Sequence, residues 1–154
     1  MRQVMKIMLT ISTISIITVG CSNSGNPVGP SDTQSSGALQ YTFSTPKTTY
    51  MSGDTLTAAI SVHNSGSVAD TIGVEASFFQ WALVNSSGDS VMKGGNGYIL
   101  AERLSVAPGQ TERIDFYSIK QVLIGASGQP LPSGSCSLEA TVRSMSFLLK
   151  LSVQ

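Results

Sequence analysis

A chain of 154 residues is long enough for one domain around a single core and too short for two of ordinary size. Hydrophobic residues make up 41% of it and charged residues only 12%, so it can bury a core but lacks the Lys and Glu that fill the surfaces of helical proteins. The formal net charge is +0, yet Arg2 and Lys6 are two of the nine basic side chains; from Cys21 onward the balance is about −2, and no basic stripe is left to hold a nucleic-acid backbone.

Arg2 and Lys6 are followed by an apolar run, Ile7 to Val19, relieved only by Ser and Thr, and then by Gly20 and Cys21. A basic head, a short apolar stretch and a small residue are the layout of an export signal. A spanning helix needs about 20 apolar residues to cross the hydrocarbon, so this run targets rather than spans. Thr18-Val19-Gly20-Cys21 resembles the lipobox of bacterial lipoproteins. That resemblance implies cleavage before Cys21, acylation of its thiol with a fatty chain such as palmitate, and membrane lipid as a partner. Ser22 follows in place of the Asp that resembles an inner-membrane retention signal, which favours the outer membrane in a cell that has both. An ordinary secretory signal with an incidental cysteine is the alternative. The only other cysteine is Cys136, which has no partner if Cys21 carries lipid.

Residues 22–38, "SNSGNPVGPSDTQSSGA", show no hydrophobic period and are rich in Ser, Gly, Asn and Pro. Such a composition cannot bury enough apolar surface to offset the entropy of ordering. It reads as a tether, with a root-mean-square reach of about 20–25 Å if it behaves as a flexible coil. The expected organisation is a signal peptide over 1–20, a tether over 21–38 and one folded domain over 39–154.

From Leu39 onward the apolar period is two. Leu56, Ala58, Ile60 and Val62 alternate with Thr57, Ala59, Ser61 and His63, as on a strand with one buried face. Phe79, Trp81 and Leu83 alternate with Phe78, Gln80 and Ala82; apolar groups on both faces predict a central strand with Trp81 at the packing centre. "TERIDFY" offers Ile114 and Phe116, "SCSLEATV" sets Cys136 in line with Leu138, Ala140 and Val142, and "SFLLKLSV" offers Phe147, Leu149, Leu151 and Val153. Between these runs lie "NSGS", "NSSGD", "APGQ" and "PSGS", with Gly66, Gly88, Gly109 and Gly134 as turn residues. Seven or eight short strands with such turns predict an all-β protein, an antiparallel β-sandwich.

The order "ISVHNSG", "FFQWALVNSSGDSV", "LSVAPGQTERIDF", "GQPLPSGSCSLEATV", over roughly residues 45–143, resembles the intracellular proteinase inhibitor (BsuPI-like) family. The matching positions are Asn64, the alternating Phe79, Trp81 and Leu83, Gly88 with Val91, Leu104 with Pro108-Gly109, and Pro132 with Gly134. The resemblance implies an immunoglobulin-like sandwich and, as an alternative function, inhibition of a proteinase. "VHNSGSVAD" and "APGQTERIDF" are also similar to bacterial cell-adhesion-related domains.

Chemistry is sparsely signalled. His63 is the sole histidine, no G-x-S-x-G occurs among the serines, and one His with two Cys cannot make a zinc cluster. The nine acids are scattered, and Asp54 and Asp89 read as turn residues that bond their own backbone. No catalytic, metal or cofactor residue is expected, nor a small-molecule substrate; Cys21 is the one modification site. Contact loops are expected at "MKGGNGYILAE" and "SIKQVLIGASGQP", the second with Val122, Leu123 and Ile124 either exposed or forming a short strand or helical turn that covers one end of the sandwich. The reading is a non-catalytic, protein-binding envelope lipoprotein, with a proteinase inhibitor and a structural or assembly subunit of the envelope as alternatives.

Overall fold

The computed structural model describes residues 29–74, 79–95 and 102–154. Cys21 and the expected signal peptide lie outside them, as do Phe78 and Tyr98. Regular structure among the described residues is all β: β1 (Ser31–Ser36), β2 (Leu39–Ser44), β3 (Thr49–Tyr50), β4 (Thr55–Asn64), β5 (Asp70–Val74), β6 (Phe79–Asn85), β7 (Ser90–Gly95), β8 (Glu102–Val106), β9 (Thr111–Val122), β10 (Gly134–Val142) and β11 (Met145–Val153). Eleven strands stand where seven or eight were expected. The surplus comes from segments without an apolar period of useful length, namely β1, β3 and the pair β5 and β8.

The strands form two sheets, β1-β2-β4-β9 and β3-β11-β10-β6-β7, and a separate ribbon, β5-β8. All pairings are antiparallel except β3 beside β11. The chain thus places β2 in one sheet and β3 in the other, with β10 beside β6 and β11 between β10 and β3, which is the layout of an immunoglobulin-like sandwich.

Alternation works as the sequence dictates in β4, where Leu56, Ala58, Ile60 and Val62 are buried, and in β11, where Phe147, Leu149, Leu151 and Val153 are. Phe43 of β2 meets Phe147 of β11 at 6.0 Å between ring centroids, and Phe79 of β6 stacks on Tyr117 of β9 at 5.7 Å, so aromatic pairs join the sheets at two places. Each such fully buried side chain contributes about 1.5–3 kcal/mol of transfer free energy. Tyr50 and Thr45 are buried too: Thr45 Oγ1 donates to the Thr57 carbonyl (2.8 Å) and bonds the Tyr50 hydroxyl, which satisfies both polar groups.

Two departures follow from backbone geometry. The register between β4 and β9 jumps after Ala59, which faces Ser118, to Ile60, which faces Ile114. The residues between break the period of two, so Ile114, Tyr117 and Ile119 point inward and Phe116 is turned outward. The segment expected to be tether as far as residue 38 is, from Ser31 to Ser36, a strand paired with β2 over its whole length. Its order comes from the backbone ladder and from two side chains reaching across to β11: the Leu148 N–H donates to Asp32 Oδ2 (2.9 Å), and Gln34 Nε2 donates to the Ser146 carbonyl.

Candidate functional site at the open edge of the sandwich

The sheets end on one side in β7 and β9. Between these edges lies a surface cavity of about 530 Å³ lined by Trp81, Val91, Met92 and Lys93 from one sheet and by Gln121 and Ile124 at the end of the other, among others. Trp81 is on the inward face of β6 with Phe79 and Leu83, but only those two are fully buried. The expectation of Trp81 as the packing centre is therefore corrected: it sits at the mouth of the core, half-buried, while the centre is held by Phe43, Phe79, Phe147 and Tyr50.

Local sequence explains how the indole is held. Trp81 faces Gly94 across the β6–β7 pair, and a Cβ on Gly94 would stand 2.9 Å from three atoms of the ring. Only glycine lets the ring lie against that backbone. Met92 faces Leu83, and a bulge between Leu83 and Val84 admits Val91 as an extra residue. The aromatic and the glycine pair were both visible in the sequence; their register across the hairpin was not.

The opposite wall belongs to the second loop expected to make contacts. Val122 and Ile124 are exposed as expected, at 41% and 42%, but Leu123 is buried. Its N–H donates to the Asp54 carbonyl (2.8 Å) and its carbonyl accepts from Gly53 (2.9 Å), which draws it into the core and turns its neighbours outward. The first contact loop contributes Met92 and Lys93; its residues 96–101 lie outside the described ones. A second recess of about 340 Å³ on the outer face of the first sheet is lined by small residues including Ser44, Thr57, Ala59 and Ser61, together with Arg113.

The remaining candidates are dispersed. His63 Nδ1 lies 3.0 Å from Thr111 Oγ1, its cross-strand partner, far along β4 from the cavity. Asp54 Oδ2 accepts from the Met51 N–H (3.1 Å) and from Lys47 Nζ (3.2 Å), and these bonds, the backbone one first, hold its carboxyl below the usual range. In the β6–β7 hairpin it is Asn85, not Asp89, whose side chain bonds the backbone: Asn85 Oδ1 accepts from Ser87 and Asp89 N–H groups. Cys136 is buried on the inward face of β10, and burial pushes its thiol up from its ordinary value. Among the described residues no three His, Cys, Asp or Glu side chains come together as a metal-binding group.

Asn64 carries a role the sequence did not disclose. It is fully buried, its Nδ2 donates to the carbonyls of Val68 (2.8 Å) and Val106 (2.9 Å), and its Oδ1 accepts from Gly66 (2.8 Å). The side chain is a hub that ties the loop after β4 to the end of β8. "HNSG" signalled a turn, and nothing in it showed that the amide would be enclosed.

No protein-family model matches the chain, and no curated protein does. Among solved structures, a β-glucosidase from Erythrobacter marinus aligns at 16% identity and a TM-score of 0.46, covering 79% of this chain and 16% of the other. A β-glucosidase from Listeria innocua in complex with gluconolactone aligns at 10% and 0.42, covering 75% and 16%. An alkylpurine DNA glycosylase from Pseudomonas fluorescens, bound to DNA containing an abasic site analog, aligns at 9% and 0.44, covering 71% and 28%. The chain spans under a third of each of these proteins, and nothing about its own activity rests on them.

Proposed function

We propose that the chain is a bacterial envelope lipoprotein, anchored through an acylated Cys21, whose immunoglobulin-like sandwich binds a protein and performs no catalysis. The observation that carries the binding half is the open-edge cavity: Trp81, Val91, Met92 and Ile124 bring apolar surface to solvent between two sheet edges, with Ser90, Lys93 and Gln121 as polar lining. Loops and edges carried on such a scaffold are the usual place for recognition. The anchoring half is supported by the basic head, the short apolar run and Gly20-Cys21. Outer-membrane placement is supported by Ser22.

Intact-mass measurement of chain purified from membranes tests the anchor: a diacylated or triacylated species beginning at Cys21 is expected, and an unmodified chain sinks it. Crosslinking in cells followed by mass spectrometry tests the binding, with Trp81 as a built-in reporter because it is the only tryptophan. Its emission shifts when a captured partner covers the cavity and stays put if the partner binds elsewhere. The inhibitor reading rests on the BsuPI-like order of motifs; slowed cleavage by an envelope protease in the presence of residues 22–154 would favour it.

A further inference from the structure

The described chain begins at one end of the sandwich and is pinned there. A Cβ on Gly29 would stand 2.0 Å from the Thr45 carbonyl oxygen, and the Pro30 carbonyl accepts from the Thr45 N–H (3.3 Å). The entering strand thus lies against the segment that leads to Lys47. Lys47 Nζ pairs with Asp54 Oδ2 at 3.2 Å, Asp54 closes the turn begun by Met51, and that turn is bonded to Leu123 through Gly53 and Ser52. Three of the six exposed large hydrophobic residues found among the described residues sit on this one end: Met51 at 55%, Val122 and Ile124.

These side chains are held outward by design of the backbone. Leu123 is buried with both backbone groups bonded, so alternation turns Val122 and Ile124 to solvent, and the Ile124 to Pro130 bridge keeps the following turn closed. The Met51–Asp54 turn is fixed by the bond from the Asp54 N–H to the Met51 carbonyl (3.0 Å). Lys47 and Asp54 neutralise each other beside this turn, and Lys93, which lines the cavity with Ile124, and Lys120, two residues before Val122, are long side chains that can keep their ammonium groups in water while their stems lie on an apolar surface.

The length of chain between Cys21 and Gly29 limits how far this end can lie from an anchor at Cys21. Cys21 precedes Gly29 by eight positions. Eight residues reach at most about 28 Å when fully extended. Gly29 lies beside Thr45, which bonds the Thr57 carbonyl near the start of β4, so the other end of that strand, at Asn64 and toward Val68, is farther from the anchor by about 23 Å of strand. We propose that the end bearing Met51, Val122 and Ile124 rests on the lipid bilayer in which Cys21 is anchored, and that the opposite end, around Val68, faces away from it. The proposal rests on the anchoring of Cys21. The cavity at Trp81 then opens sideways, near the membrane surface, with Ile124 at the corner shared by the two faces.

The test uses full-length protein purified from membranes and reconstituted in phosphatidylcholine vesicles. Single thiols introduced by Met51→Cys, Val122→Cys and Val68→Cys are labelled with an environment-sensitive fluorophore, Cys136 being buried. The same samples are weighed intact. Expected is a blue shift and quenching by brominated lipid at positions 51 and 122, with neither at 68. If the mass shows acylation and labels at 51 and 122 remain in water, the docking fails while the anchor stands. If the chain is unmodified, both fail. Shielding at 51 and 122 in native membranes but not in pure lipid vesicles would assign this end to a protein and overturn the proposal.

Discussion

Two buried side chains, one polar and one a thiol, show how much depends on single residues. Asn64 uses both amide hydrogens and its oxygen within the protein, so Asn64→Ala removes a buried bond from each of two carbonyls and one N–H. A loss of about 2–4 kcal/mol is expected in urea denaturation followed by Trp81 emission. Asn64→Asp keeps the shape but replaces two donors by lone pairs facing the carbonyls of Val68 and Val106, and a greater loss is expected from it. Cys136 behaves oppositely because a thiol asks for little. It is buried among apolar neighbours and its pKa is raised by desolvation above the ordinary 9.0. At neutral pH the thiol is protonated whether the chain is folded or unfolded, so it costs nothing. Above about pH 9 the unfolded chain ionises this group first, and stability falls as pH rises. A thiol reagent should therefore modify Cys136 only as fast as the protein unfolds, and modification of the native state at the rate of a free thiol would contradict the burial.

At the scale of the element, sheet edges explain both what the sequence disclosed and what it hid. β4, β6, β10 and β11 were legible because each has neighbours on both sides and a face against the core, conditions that force apolar alternation. β1 was not, because an edge strand with little core contact needs no hydrophobic period. "SDTQSS" reads as linker composition, and its order depends on the backbone ladder with β2 and on side-chain partners more than a hundred positions away. The bulge in β9 was hidden for a different reason: "TERIDFY" alternates well, and only the register against β4 shows that Phe116 loses its inward place to Tyr117. The polar residues of β1 have a use at that edge. β3 covers β11 only at Ser152 and Val153, and Asp32 and Gln34 occupy backbone groups of β11 farther along. An edge left open is a template for pairing with another chain. Asp32→Ala is expected to lower stability by about 1 kcal/mol through the lost charge-assisted bond and to raise the dimer fraction. Sedimentation at increasing concentration would show the second effect; an unchanged monomer would mean that the backbone ladder of β1 alone guards the edge.

For the whole molecule, one core serves both sheets while the β5-β8 ribbon lies outside them. Phe43 with Phe147 and Phe79 with Tyr117 join the layers, so neither sheet can expose its inner face without the other doing the same. The ribbon, in contrast, is pinned chiefly through buried Val106 and Ile72 and through the bond from Asn64 to the Val106 carbonyl. Native-state hydrogen exchange should then divide the molecule in two. Amides of Ala58 and Ile60 in β4 and of Leu138 and Ala140 in β10 are expected to exchange with a common free energy, that of global unfolding, while β5 and β8 open at lower cost. Leu138→Ala, which empties a fully buried site between the sheets, should lower protection in β4 and β10 together by about 2–5 kcal/mol. Asn64→Ala should in addition open the ribbon by more than it lowers the rest. If β4 and β10 responded to Leu138→Ala by different amounts, the sheets would be separable units, and the rigid edges on which the Trp81 cavity depends would be free to move apart.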